Sequence, residues 1–569
     1  MIFKIADNIL SPLGETTEQN YKAVEQGNSV LQPYIGKFHL PEQFCASFFS
    51  QEQNAQILAD GLSRFEAMVV LSARKTLSHL KIDIGSPKVA LIISTTKGNV
   101  EMLEDVTTPI ENVLPGTSAT KIARKLGIST TPFVVCNACI SGVSAIILAS
   151  RLLECKLYDY ALVCGADSLN RFVISGFQSL KAFSPEPCKP FDMERIGLNL
   201  GEASASIVFC RSGLDNIETE GLWGVECGFV RNDAYHISTP SKNAEGAYLS
   251  LKDTLGDYDT TKLAFVNAHG TATMFNDQME SVAIERAGLT NVPVNAYKGF
   301  YGHTLGAAGV LETVLSMKAA DNHLILGTKG FEERGVSGKI SLSANSLTTE
   351  KTDFIKMISG FGGCNASVLL TKGHSLSDER VCGMYQTKHE VTITNHVVMV
   401  DGQSLHVDGT GSQRLTELYK RFVDDYPKFY KMDKLCRLGF IASELLLNAE
   451  ATDRFVECDN RAVILFNRSS SILSDKKYQE SISDEENFYP SPSIFVYTLP
   501  NIVCGEIAMR NHYHGETSFY ILPEMNVEQM HEIKFASFLD KSISSMITGW
   551  VDYMDDDNYM AKLEIVERK

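Results

Sequence analysis

Short apolar runs recur along the chain and alternate with stretches whose apolar residues fall at helical spacing. Residues 88–94, 132–135, 160–167, 264–268 and 367–370 read as buried strands, and 16–25, 67–80, 117–126 and 141–150 read as helices. Strands that are apolar throughout, alternating with helices, predict an α/β layered sheet covered on both faces. The composition turns polar over residues 374–388, which reads as a linker. Beyond it, a helix over 432–447 and a strand over 462–466 predict a further α/β unit of ordinary domain size. At 134–145 an apolar strand runs through Cys136-Asn137-Ala138-Cys139-Ile140-Ser141-Gly142 into a helix of small residues. A cysteine at such an elbow is either a small core hydrophobe or a nucleophile whose thiolate is favoured by the positive end of the helix.

Composition narrows this picture. A chain of 569 residues with 44% hydrophobic and 21% charged residues describes a soluble globular protein of several domains. No run is long enough to span a membrane, and the first seven residues do not read as a signal peptide. A net charge of -17 lacks the basic footprint that nucleic acid requires. Thirteen cysteines, scattered apart from Cys136 and Cys139, suggest reduced thiols and a cytoplasmic location. The one Cys-x-x-Cys, Cys136 to Cys139, stands alone and there is no His-Glu-x-x-His, so no metal site is expected. The glycine-rich turns at 302–309 and 359–365 match no phosphate-binding motif and suggest close backbone approach to a reaction centre.

Two histidines follow in turn contexts, His269 in Asn267-Ala268-His269-Gly270-Thr271-Ala272-Thr273 and His303 after Lys298-Gly299-Phe300-Tyr301-Gly302. With the elbow cysteine they form a set suited to acyl chemistry: cysteine holds an acyl thioester, and histidines stabilise an enolate oxygen. Over residues 1 to about 373 the chain resembles the elongating β-ketoacyl-acyl-carrier-protein synthases of the thiolase-like superfamily. Cys139 in Asn-Ala-Cys-Ile-Ser-Gly matches the family nucleophile; His269, with Asp277 and Glu280 after it, matches the first histidine motif. Lys298, His303 and Glu312 match the second, and Phe361 in Gly-Phe-Gly-Gly-Cys-Asn matches the gating phenylalanine.

The resemblance implies a thiolase-like αβαβα fold, with a nucleophile half over 1–213 and a histidine half over 214–373. It implies decarboxylative Claisen condensation of a malonyl unit with an acyl group on Cys139. His269 and His303 would bind the thioester oxygen, and Lys298 and Glu312 would hold His303. The backbone N–H groups of Cys139 and Phe361 would form the oxyanion hole, and Thr271 and Thr273 would bind the phosphopantetheine arm. No free cofactor is implied. The partner implied is an acyl carrier protein, with Lys121, Arg124, Lys125, Arg171 and Lys181 as candidate docking residues. Ala272 stands where glycine is commoner in the family, Asn267 where glutamate is commoner, and Ile140 in place of a small residue.

Segments of the C-terminal part resemble the head again. Residues 499–510 echo 114–124, and the same offset carries Asp167 onto Asp552 and Cys139 onto Glu524. The expectation is that 389–569 form a half-thiolase-like α/β domain without catalytic residues, similar to a truncated chain-length factor. It would pack on the head as an internal pseudo-partner, with further oligomers left open. Its loop 491–501 would bring Ile494, Phe495 and Thr498 to the far end of the acyl tunnel. Two other readings stay open here: a non-catalytic chain-length-factor-like scaffold, and a coenzyme-A-dependent thiolase-type enzyme. Polyene or polyketide synthesis and fatty-acid synthesis both fit.

Overall fold

The computed structural model describes residues 2–214, 220–373, 383–451, 453–484 and 488–569. The N-terminal part supplies β1 (Ile2–Leu10), β2 (Val89–Ser94), β3 (Phe133–Val135), β4 (Tyr160–Asp167) and β5 (Ala203–Arg211). They form one sheet in the order β3-β2-β4-β5-β1, parallel across the first two pairings and antiparallel across the last two. The next part repeats this with β6 (Trp223–Asn232), β7 (Phe265–Asn267), β8 (Pro293–Asn295), β9 (Phe354–Gly360) and β10 (Cys364–Lys372). Its order is β8-β7-β9-β10-β6, with the same parallel and antiparallel senses. The start of β1 pairs with β6, joining the two sheets.

Several helices carry the argument: α1 (Arg64–Leu77), α2 (Pro115–Leu126), α3 (Ser141–Glu154), α4 (Arg171–Ser179), α5 (Met274–Arg286) and α6 (Ala308–Asp321). Helix α3 is buried along nearly its whole length, as expected of a helix apolar on every side. It packs against α6 and touches strands of both sheets, so the two helices form the central layer. Their backbones meet where Gly142 faces Gly309: a Cβ on Gly142 would stand 2.8 Å from the nitrogen of Val310. Helix α1 starts earlier than the apolar spacing predicts, because Ser63 and Glu66 form a reciprocal capping box at its N-terminus.

The C-terminal part builds the same sheet a third time. Its strands are β11 (Tyr385–Thr394), β12 (Arg461–Asn467), β13 (Thr517–Ile521), β14 (Ser545–Tyr553) and β15 (Tyr559–Arg568). The order is β13-β12-β14-β15-β11, again parallel then antiparallel. Its helices include α7 (Lys434–Glu450), α8 (Pro492–Tyr497), α9 (Ile502–Asn511) and α10 (Val527–Ser537). The Asp167–Asp552 correspondence has a geometric counterpart. Asp167 accepts from Thr95 and Thr96 after β2, and Asp552 accepts from the backbone of Ser469 after β12.

Two sequence expectations are corrected. The linker boundary at 388 lies too late: residues 374–382 fall outside the described residues, and Tyr385 already opens β11. That strand reads as linker because its exposed face is polar. The expectation of reduced thiols throughout fails at Cys155, which is disulfide-bonded; eleven other cysteines are free. Cys155 sits partly exposed at the end of α3, whereas most of the free thiols are enclosed in apolar core. Among the described residues no helix is long and apolar enough to cross a membrane.

Head and tail meet edge to edge. Strand β13 pairs antiparallel with β3 through Tyr520↔Val135 and Ile521↔Val134. Arg151 on α3 reaches Glu516 at 2.7 Å and Arg231 on β6 reaches Asp540 at 2.8 Å, all four side chains buried. A buried guanidinium that loses its counter-ion is left uncompensated. Glu516→Ala is therefore expected to lower stability by about 3–5 kcal/mol in denaturant unfolding. A loss within about 1 kcal/mol, the range of exposed pairs, would show that this seam is open to water.

Candidate active site

Strand β3 ends at Val135, a tight turn carries Asn137 and Ala138, and Cys139 stands at the N-terminal end of α3. Ala138 takes a left-handed φ of 48°, a strained value for a residue with a Cβ. The turn is held from the tail as well as from the head. Asn137 Oδ1 accepts from Phe519 N at 2.6 Å, and Cys136 N donates to Phe519 O at 3.1 Å.

His269 follows β7, and His303 follows the short helix Lys298–Tyr301. Their rings lie edge to face with centroids 4.9 Å apart. The Cys139 sulfur and one nitrogen of each imidazole lie within 4.8 Å of one another, so the three sequence candidates converge. They line a cavity of about 300 Å³ with Thr271, Thr273 and Phe361. His303 Nδ1 accepts from Leu305 N at 3.3 Å, which leaves the proton on Nε2. That Nε2 and His269 Nδ1 are buried without a partner in the protein.

The supports lie in layers beneath. Glu280 accepts from the backbone N–H groups of His269 and Gly270 at 2.6 and 2.7 Å. Asp277, one turn earlier on α5, accepts from Phe191 N and Ala272 N. Two carboxylates at i and i+3 thus hold the histidine turn from one helix face. Ala272 sits at φ 61°, a left-handed position that accounts for the commoner glycine there. Lys298 Nζ donates to Glu312 at 2.8 Å and to the carbonyl of His269 at 2.6 Å. Lys298 therefore braces both histidines, through the His269 carbonyl and through the short helix that leads to His303.

Burial governs the electrostatics. It lowers the affinity of His269 and His303 for a proton far below the ordinary imidazole range, and the nearby Lys298 adds to this. Burial raises the Asp277 carboxyl to about 6 and the Glu280 carboxyl to about 7. It also pushes the Cys139 thiol up to about 12, against the pull of Lys298. The elbow was expected to lower this thiol through the helix end; here desolvation outweighs the dipole, and the resting group is a thiol. Cys139, His269 and His303 also have the composition of a metal-binding set, but Lys298, buried directly beneath, opposes a divalent cation.

The tail residues fall differently from expectation. Phe495 and Leu499 line a second space of about 20 Å³ behind Cys139, together with Lys97, Val173, Phe177 and Phe361. That is room for about one water. Ile494 packs into the neighbouring apolar cluster, and Thr498 turns its hydroxyl back to the Phe495 carbonyl. The segment was expected to be a loop but carries a helix, α8, whose turn sends Phe495 into this space and leaves Ile494 beside it. The carbonyl of Thr498 receives the buried Lys97, whose ammonium also lies 3.4 Å from Asp475 of the tail. Sequence reasoning also missed Asn501, which donates to the Phe361 carbonyl at 2.8 Å, and Lys356. Lys356 had one visible signal: a lone charge in the apolar strand Phe354-Ile355-Lys356-Met357-Ile358. Of the docking candidates, Lys121 is engaged by Asn112 and lies 3.6 Å from Glu66.

The layered fold and the cysteine–histidine–histidine cavity define a thiolase-like condensing enzyme. Residues 12–213 match the model of the beta-ketoacyl synthase N-terminal domain and 225–332 that of its C-terminal domain, together more than half of the chain. The chain belongs to the beta-ketoacyl synthase family, whose members are acyltransferases that form carbon–carbon bonds. A 3-oxoacyl-[acyl-carrier-protein] synthase 2 from Synechocystis is 25% identical over 64% of this chain and 96% of its own length. One of the same name from Rhizobium meliloti is 32% identical over 42% of this chain and 61% of its own. The chain thus spans under two thirds of some curated relatives and nearly all of others. The solved structure of the PfaC keto synthase-chain length factor is similar in fold over 100% of this chain and 78% of its own, with a TM-score of 0.80 at 15% identity. The ketosynthase ApeO, in complex with its chain length factor ApeC from Xenorhabdus doucetiae, covers 65% of this chain and 98% of its own, with a TM-score of 0.56 at 24% identity.

A thiol held near 12 makes a specific forecast. Alkylation of Cys139 by iodoacetamide, followed by peptide mass, is expected to keep accelerating with pH through pH 9. A rate already level by pH 7 would mean that the histidines hold a preformed thiolate.

Proposed function

We propose that this chain catalyses decarboxylative Claisen condensation between an acyl group on Cys139 and a malonyl unit, both delivered as thioesters of an acyl carrier protein. The observation that carries the reading is the meeting of Cys139, His269 and His303 around one cavity, with two imidazole nitrogens lacking protein partners.

In the first step the Cys139 sulfur attacks the acyl thioester. Its proton passes to the departing phosphopantetheine thiolate, with an imidazole as the nearby acceptor, so thiol and thioester exchange without net change. Backbone N–H groups of Cys139 and Phe361 stabilise the tetrahedral oxyanion. In the second step the malonyl carboxylate leaves as CO2, and the electron pair of the broken carbon–carbon bond enters the thioester as an enolate. His303 Nε2–H and His269 donate to that enolate oxygen; an imidazole kept neutral by burial still carries one N–H to donate. The enolate carbon attacks the Cys139 thioester, forms the new carbon–carbon bond and expels the cysteine thiolate, which takes from water the one proton that the decarboxylation consumes. Thr271 and Thr273 line the approach and bind the phosphopantetheine arm. No free cofactor takes part.

We read residues 383–569 as a half unit of the same fold, built without catalytic residues, that serves as an internal pseudo-partner. The repeated strand order and the β3–β13 seam support this. In it Phe495 closes the acyl end of the site: its ring stacks edge-on with Phe177 at 5.5 Å, and Phe177 stacks with Phe361 at 6.3 Å. Retention of all three reactive groups favours a catalyst over a scaffold. The histidine pair favours carrier-protein thioesters over a coenzyme-A thiolase reaction. The eleven free cysteines favour the cytoplasm.

Intact-mass analysis of the protein with acyl- and malonyl-carrier protein is expected to show acyl transfer to wild type and a β-ketoacyl product, and neither with Cys139→Ala. Failure of every acyl chain to load would remove the catalytic reading. Phe495→Ala is expected to lengthen the longest acyl chain that loads. An unchanged length limit would take the tail out of substrate selection.

A further inference from the structure

Glu312 is shared by two lysines. Its Oε1 accepts from Lys298, and its Oε2 accepts from Lys356 on β9, which is wholly buried. Lys356 Nζ also donates to Asn267 Oδ1 at 2.8 Å and to the Ala268 carbonyl at 3.1 Å, so its three N–H groups are all used. Lys298 meanwhile holds the next carbonyl along, that of His269. Two consecutive carbonyls at the histidine turn are thus gripped by two ammonium groups on one carboxylate. Lys356 lies in register with Asn267 across the parallel β7–β9 pair, and β9 runs on into Gly360 and Phe361. It therefore ties the strand that presents His269 to the strand that ends at the oxyanion turn.

We propose that Lys356 is a positioning residue of the condensation: with Lys298 it clamps the His269 turn through Glu312 and leaves one unbalanced positive charge beneath the imidazole pair. This rests on the catalytic reading above. The remaining charged or titratable neighbours do not cancel that charge. Burial raises the carboxyls of Asp277 and Glu280 on α5 to about 6 and about 7, so both are protonated on the acid side of those values, and Asp277 faces Arg195 at 4.0 Å. Burial lowers Lys356 itself to about 8, so on that acid side it stays an ammonium. Asp167 at the end of β4 is committed to Thr95, Thr96 and Gly306 and is likewise raised by burial. Tyr297 and Tyr301 beside the short helix stay protonated, and so does the Cys139 thiol. A cation beside an imidazole disfavours its protonated form, so Lys356 acts in the same direction as burial on both histidines.

The sign is then fixed. If neutral imidazoles are the working form, activity falls as pH drops through their pKa, and losing a nearby cation moves that fall to higher pH. Lys356→Gln keeps hydrogen-bonding capacity and removes the charge. The acid limb of its kcat/KM profile is expected to move up by about one pH unit or more, while Lys356→Arg keeps the wild-type limb. An acid limb unchanged in Lys356→Gln, whatever its melting temperature, would reduce Lys356 to a structural residue and overturn the proposal.

A second arm needs neither variant nor turnover. Diethyl pyrocarbonate reacts with neutral imidazole, and peptide mass resolves each site. In wild type the modification rate at His303 is expected to hold between pH 7 and pH 5, while that of a free histidine peptide in the same tube falls more than about tenfold. A parallel fall at His303 would overturn the proposal. Because this arm reads the imidazole alone, it stands even if no acyl chain loads Cys139, an outcome that would count against the catalytic reading instead.

Discussion

The pairing of β3 with β13 is the constraint on which the rest depends. Strand β3 is three residues long and is an edge of the head's own sheet. An edge strand leaves one row of backbone groups unpaired, and here that row lies at the base of the nucleophile turn. The tail supplies the missing partners through Tyr520 and Ile521 and then reaches further, with Phe519 on both Cys136 and Asn137. The strained Ala138 persists because the turn is over-determined from both sides. Order at Cys139 is therefore a property of the joined chain and not of its first 373 residues alone.

Charge at the site follows the opposite logic from the one its elbow suggests. A helix end and a lysine both favour a thiolate, yet enclosure by apolar neighbours sets the resting state. The same enclosure keeps the imidazoles neutral and concentrates the influence of each buried ammonium group. Lys298, Lys356 and Glu312 form one connected unit because a lone cation could not be held there without a carboxylate, and a carboxylate shared by two cations leaves a surplus.

Much of this was legible in the residues. Apolar runs located the buried strands, Tyr160–Asp167 to the residue, because strands covered on both faces have little freedom in composition. The reactive set was legible because each member sits in a motif with its own backbone demands. The tail's strand and helix at 462–466 and 432–447 were legible for the same reason as the head's. What was not legible depends on contacts distant in sequence. The inward face of α8 could not be chosen while it read as a loop. Lys356 and Asn501 gain their meaning only from the strand and turn packed against them. The start of β11 reads as linker because one face of that strand is exposed.

The three sheets share one strand order, and the third meets the first edge to edge. In a symmetric pair each copy lends its edge to the other, and two equivalent cavities result. Here the lending runs one way, since the tail completes the head's turn and the described tail carries no second set of reactive groups. Among the described residues there is one set of reactive groups, and the strand that completes its turn is carried on the same chain. Tethering turns an association that would depend on concentration into an intramolecular one. The contact between tail and elbow should thus be as complete in a dilute solution as in a crowded cell.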